Sequence, residues 1–127
     1  MEHDAESNVD LDSDAAIRRL VENFYAQVLR HPSLHVYFDP AALRRHLSII
    51  EAYWQRMLLG GKRYRRNMVN VHRDIHRRLP IAEADFGHWL MLFTATVDAD
   101  FAGPKAERAK FLARTIIVNL KRLLLTP

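Results

Sequence analysis

Residues 67–93 read NMVNVHRDIHRRLPIAEADFGHWLMLF and hold most of the chemistry of the chain. Two histidines four residues apart, His72 and His76, lie on a short helical pattern that puts them on neighbouring turns of one helix face. Pro80 interrupts this pattern, because proline cannot continue a helix. The aromatic-rich helix that follows carries Trp89. A histidine, a helix end and an aromatic wall together suggest one side of a cofactor pocket.

Length and composition exclude several classes of protein. The 127 residues suit one domain with a real core, and the absence of cysteine excludes disulfides and thiolate chemistry. No apolar run approaches the ~20 residues of a membrane helix, and the N-terminus lacks the basic and apolar regions of a secretory signal. A cytoplasmic location and no membrane partner are therefore the expectations.

Charge is distributed unevenly along the chain. The first 14 residues contain six acids and no Lys or Arg, which leaves nine acids against all nineteen basic residues in the remainder. We predict a disordered acidic tail over residues 1–14 and one folded domain over residues 15–127. The basic surplus of that domain favours anionic groups such as phosphate, carboxylate or nucleic acid.

Apolar residues recur at helical spacing in four long segments, and no segment alternates as a strand does. Predicted helices cover about 14–30, 40–59, 83–101 and 105–124, with a short fifth helix at about 68–78. The sequence therefore predicts an all-α fold.

Three polar aromatic side chains, Tyr25, His46 and Trp89, lie on these apolar faces. Such a histidine is often only a core residue bonded to a carbonyl, and the alternative is a side chain that faces a pocket. His72 and His76 have the spacing of a metal pair, but the glutamate and third ligand of a zinc protease are missing. Haem fits this inventory, because it needs an imidazole for iron, apolar walls, cations for its propionates and donors at the open coordination position.

The order and spacing of several landmarks resemble those of the group III truncated haemoglobins, a family of short bacterial globins. The landmarks are Phe24 and Tyr25, Phe38 after a short turn, His46 followed by Trp54 and residues 57–60, Tyr64, residues 67–72, and Phe86, Trp89, Leu90, Leu92 and Phe93. The resemblance extends from Ala15 to about Leu124. It implies a truncated globin fold, a helical sandwich that encloses one haem, haem b.

The resemblance also implies roles for individual residues. His72, which lies on the apolar row of its helix, becomes the proximal iron ligand, with His76 as the alternative. Tyr25 and Trp89 become distal hydrogen-bond donors, and His46 becomes a distal gate or further donor. The remaining cofactor-binding positions line the ring or lie near its propionates: Phe38, Ile50, Trp54, Phe93, Arg63 and Arg66.

The function implied is the binding of dioxygen and other diatomic ligands, nitric oxide and carbon monoxide, at a five-coordinate haem iron. Two distal donors predict slow release of dioxygen, because they stabilise its partial negative charge. Slow release suits redox chemistry, such as nitric oxide dioxygenase or peroxidase-like activity with an electron donor that the sequence does not identify. It equally suits sensing or scavenging.

Two alternatives use other features of the sequence. A basic helical module that binds nucleic acid without haem would use the arginine-rich surface, but it has no recognisable reader motif and leaves the inward Tyr, His and Trp without a role. A globin relative that has lost haem would act as an interaction scaffold, and the histidine at position 72 argues against it.

Overall fold

In the computed structural model, the described residues are 8–60, 76 and 79–125. They form four α-helices: α1 (Asp14–Val28), α2 (Pro40–Leu59), α3 (Glu83–Asp100) and α4 (Pro104–Leu125), with a 3-10 turn at His35–Tyr37 ahead of α2. The predicted all-α fold is confirmed, and each long helix lies where the apolar periodicity placed it. The predicted short helix at about 68–78 lies outside the described residues, apart from His76.

Local side-chain chemistry decides where α1 and α2 begin and end. The Ser13 hydroxyl accepts the N–H of Ala16 at 3.1 Å, and the Asp39 carboxylate accepts the N–H of Ala42 at 3.1 Å. Each bond satisfies a backbone donor that has no partner within its helix. Gly60 ends α2 in the left-handed conformation, with φ of 82°, which glycine adopts without a steric cost.

The helices pack as two pairs, α1 with α2 and α3 with α4, and the pairs meet through α1 against α3 and α2 against α4. Phe24 of α1 and Phe93 of α3 are almost completely buried where the pairs meet. Burial of a side chain of this kind stabilises the fold by roughly 1.5–3 kcal/mol. No helix among the described residues is long and apolar enough to span a membrane.

Residues 8–13 pack against the helices, although the sequence predicted a disordered tail as far as residue 14. Leu11 is completely buried in the core, and the N–H of Ala102 donates to the carbonyl of Val9 at 3.0 Å. The acidic composition indicates disorder and does not reveal that one leucine of this segment is buried. Residues 1–7 lie outside the described residues, and there the tail stays a prediction.

Asp10 also caps the last helix. Its carboxylate accepts the N–H groups of Lys105 at 3.1 Å and Ala106 at 2.8 Å, in the first turn of α4, where negative charge is stabilising. Gly103 has φ of 135°, and a Cβ on it would lie 2.5 Å from the Asp10 carboxylate carbon. The corner between α3 and α4 therefore requires glycine.

Candidate functional site

Aromatic side chains from α1, α2 and α3 form one cluster, defined here as Phe24, Trp54, Trp89 and Phe93. The Phe93 ring stacks on Trp89 at 5.3 Å and on Trp54 at 5.1 Å. Phe24 lies edge-on to both Trp89 and Phe93 at 5.2 Å. Each such pair adds about 0.5–1.5 kcal/mol to the burial of its rings. The aromatic cluster is therefore a fixed apolar wall.

Tyr25 brings a hydroxyl to the edge of this wall. Its ring lies edge-on to Phe24 at 4.7 Å and to Phe38 at 6.0 Å. Burial raises the pKa of Tyr25 to about 12, and the hydrogen bond that the Trp89 indole N–H donates to it opposes this rise. The phenol is therefore neutral at physiological pH. Because its oxygen accepts from Trp89, its own O–H can donate to a further acceptor.

The structure brings together most of the predicted pocket residues that it describes. Trp54 and Phe93 are buried, and Phe38, Ile50, Tyr25 and Trp89 are partly buried against the same core. Their contacts agree with a shared site, and their roles toward a cofactor stay predictions.

The sequence put His46 on an apolar face of its helix. In the structure its side chain is exposed. The buried arc of α2 centres on Leu43, Trp54 and Leu58, and helical geometry puts His46 at the edge of that arc. A pattern with a period of 3.6 does not separate the edge of a stripe from its centre. Its role as a distal gate or donor stays a prediction.

The predicted residues on the other side of the pocket, His72, Arg63 and Arg66, lie outside the described residues. His76 is described and is half-buried. Its Nδ1 accepts the N–H of Ile81 at 2.8 Å. A neutral imidazole that accepts at Nδ1 carries its proton on Nε2.

Sequence reasoning missed a set of hydrogen bonds at the start of α3, which we call the polar anchor and define as Tyr37, Asp85 and His88. The Tyr37 hydroxyl donates to Asp85 Oδ2 at 2.6 Å and accepts the N–H of Ala82 at 3.1 Å. His88 Nδ1 lies 2.9 Å from Asp85 Oδ1. The anchor thus joins the turn before α2 to the first turns of α3.

Asp85 is unusual because it is a buried carboxylate, with 9% of its surface exposed. Burial alone would raise its pKa, but the hydrogen bonds from Tyr37 and His88 and the nearby charge of the His88 and His31 rings lower the pKa below its ordinary value. In the sequence, Asp85 is recognisable only as an acid in the first turn of a helix, and that pattern indicates an exposed charge at the helix terminus.

Among the described residues, no group of three or more His, Asp or Glu side chains is arranged to hold a metal ion.

Comparison with known proteins gives two matches. The family model described as bacterial-like globin matches residues 10–117. The structure matches that of the group III truncated hemoglobin from Campylobacter jejuni with a TM-score of 0.82, covering 92% of this chain and 94% of that chain at 22% sequence identity. At this identity the structural match establishes the fold alone. No curated protein matches the sequence.

Proposed function

We propose that this chain, which belongs to the bacterial-like globin family, retains dioxygen through the hydrogen-bonding pair Tyr25–Trp89 beside haem b. Membership of the family and the truncated globin fold agree with the resemblance found in the sequence. A globin binds haem and a gaseous ligand. The proposal concerns which residues hold them and which ligand the site favours.

The described residues fit one wall of a haem pocket. The aromatic cluster supplies the apolar surroundings that a buried macrocycle requires, and Tyr25 adds a neutral donor whose pKa is raised by burial to about 12. Haem held by a histidine would supply an iron that can take a diatomic ligand. The surrounding side chains then decide which ligand is retained.

The observation that carries the proposal is that Tyr25 and Trp89 lie around one ring, that of Phe24, at 4.7 Å and 5.2 Å. The Trp89 side chain lowers the pKa of Tyr25, as a hydrogen-bond donor does. By donating to the phenol oxygen, the Trp89 N–H strengthens the donor character of the Tyr25 O–H, since linked hydrogen bonds polarise one another. A ligand that gathers negative charge gains most from such a donor, which favours dioxygen over carbon monoxide. Slow release of dioxygen follows.

For the iron ligand we propose His72 in preference to His76. A metal-binding histidine coordinates through one ring nitrogen and donates an N–H from the other. His76 uses Nδ1 to accept the Ile81 N–H, which leaves the proton on Nε2 and no lone pair there for iron. Coordination by His76 would break this bond, whereas the proposal for His72 requires no change at Ile81.

The test is the visible absorption spectrum of the reduced protein with and without carbon monoxide. We expect an intense haem band that shifts with carbon monoxide, is lost in His72→Ala and persists in His76→Ala. A colourless protein that takes up no added haemin would overturn the haem assignment. Loss of the band only in His76→Ala would reverse the choice of histidine.

Slow release of dioxygen suits the oxidation of nitric oxide to nitrate, which needs one electron per molecule from a one-electron reductant. This electron would come from an electron donor that is not part of this chain. Nitrate formation measured against nitric oxide consumed, with a chemical reductant, tests this reaction. If nitric oxide were consumed but no nitrate were formed, the protein would be a scavenger of nitric oxide instead. The nucleic-acid alternative has no support from the family or the fold.

A further inference from the structure

Burial of the Asp85 carboxylate is unfavourable unless both of its oxygens are hydrogen-bonded. Both oxygens are satisfied, one by the Tyr37 hydroxyl at 2.6 Å and the other by His88 at 2.9 Å. The Tyr37 hydroxyl is itself fixed from the other side by the N–H of Ala82. This arrangement holds the carboxylate in one position.

The hydrogen bond between Tyr37 and Asp85 lies close to Tyr25 and Trp89, which we call the distal pair. Asp85 precedes Trp89 by one helical turn, so both side chains emerge on the same side of α3. Tyr37 precedes Phe38, whose ring lies against the ring of Tyr25 at 6.0 Å. Tyr25 and Trp89 meet in turn at Phe24, whose ring lies edge-on to both, at 4.7 Å and 5.2 Å. The bond between Tyr37 and Asp85 therefore joins the two segments that bear on the distal pair.

We propose that Asp85, through Tyr37, is a positioning residue for the Tyr25–Trp89 pair. It sets the separation between the start of α3 and the turn that carries Phe38, and hence the alignment of the Trp89 N–H with the Tyr25 oxygen. The stacking contact holds the Trp89 ring against Phe93, but a hydrogen bond also weakens steeply as its angle closes. Its strength therefore depends on how the start of α3 is oriented toward the turn.

The inference rests on the proposed function, because the alignment affects a ligand only if Tyr25 donates to it. Removal of the Tyr37 hydroxyl in Tyr37→Phe should speed dioxygen release about three- to tenfold, the range expected when one hydrogen bond in a pair is weakened. Asp85→Asn should act in the same direction. Asp98→Asn removes a carboxylate from an exposed position of the same helix and should leave the rate unchanged.

A double-mutant cycle that combines Tyr37→Phe with Tyr25→Phe, measured as the rate of dioxygen release from the haem-loaded protein, decides whether Tyr37 acts through Tyr25. If Tyr37 acts through the distal pair, its effect on release disappears once the Tyr25 hydroxyl is gone. The infrared stretching band of carbon monoxide gives a second readout, and Tyr37→Phe should shift or broaden it. The free energy of unfolding of each variant, from urea titration, separates positioning from general loosening.

The outcomes are distinguishable. Tyr25→Phe that speeds release while Tyr37→Phe leaves rate and infrared band unchanged would overturn the positioning role alone. Equal effects of Tyr37→Phe with and without the Tyr25 hydroxyl would also overturn it. If Tyr25→Phe itself has no effect on release, the proposed use of the distal pair fails first.

Discussion

The aromatic cluster and the polar anchor hold the same helix, α3, by different forces. In the cluster, Phe93 stacks between Trp89 and Trp54 through apolar ring contacts. At the anchor, Asp85 is held by directional bonds to Tyr37 and His88. Apolar packing supplies most of the stability, and under our proposal the hydrogen bonds of the anchor set the orientation of Trp89.

The largest expected effect is on the cluster side of this comparison. Phe93→Ala removes an almost completely buried ring and should lower the free energy of unfolding by about 3–5 kcal/mol. Urea titration measures the loss. Phe111→Ala, at a ring with 56% of its surface exposed, is the matched control and should change stability by about 0.5 kcal/mol or less. Similar losses for both would show that the cluster is not the source of stability.

A change at Trp89 sharpens the comparison, because this residue belongs to the cluster and also makes a directional bond. Trp89→Phe keeps an aromatic ring against Phe93 but removes the N–H that donates to Tyr25. Dioxygen release should accelerate about three- to tenfold, as for loss of one hydrogen bond. Carbon monoxide release serves as the internal control and should change less. Equal acceleration of both gases would indicate a steric effect.

At the polar anchor, acid should reveal the buried carboxylate. The pKa of Asp85 is lowered in the folded protein, so its ionised form stabilises the fold above the ordinary pKa, and this contribution is lost as pH falls through the lowered value. Tyr37, His88 and His31 are the titratable groups that face it. Below about pH 5, stability should fall less steeply in Asp85→Asn than in the unaltered protein. Parallel pH profiles from urea titration would contradict the pKa shift.

The smallest expected effect is at the ion pair between exposed Asp98 of α3 and Lys110 of α4. Asp98 is 56% exposed and lies 2.6 Å from the amine of Lys110, which also pairs with Glu107 at 2.9 Å. Asp98→Asn should cost about 0–1 kcal/mol, and less at high salt, because solvent screens exposed charges. A loss as large as that of Asp85→Asn at neutral pH would remove the distinction between buried and exposed carboxylates.

The helices were predictable from the sequence because their information is local. Apolar spacing placed α1 to α4, and it also placed Tyr25 and Trp89 on helix faces that meet at the ring of Phe24. The position of Asp85 was not predictable, since its partner Tyr37 lies 48 residues away in the chain. No periodicity encodes such a pairing, and an acid early in a helix ordinarily indicates a charge at the helix terminus.

The capping role of Asp10 and the exposure of His46 could not be predicted from the sequence, for different reasons. Asp10 belongs to an acidic stretch whose composition indicates disorder, yet its carboxylate caps α4. His46 follows the period of a buried stripe but lies at its edge and is exposed. In both cases the outcome depends on what a neighbouring helix covers, which is a property of the packed molecule.

Retention of dioxygen by Tyr25 can be measured as the rate of dioxygen release from the reduced, haem-loaded protein, compared with that of Tyr25→Phe. A donor that bonds to a ligand bearing partial negative charge contributes about 1.5–3 kcal/mol, so the variant should release dioxygen roughly 10- to 100-fold faster. Slow release that accelerates in this way would establish Tyr25 as the group that retains the ligand. Fast release in both proteins, at the same rate, would contradict the account.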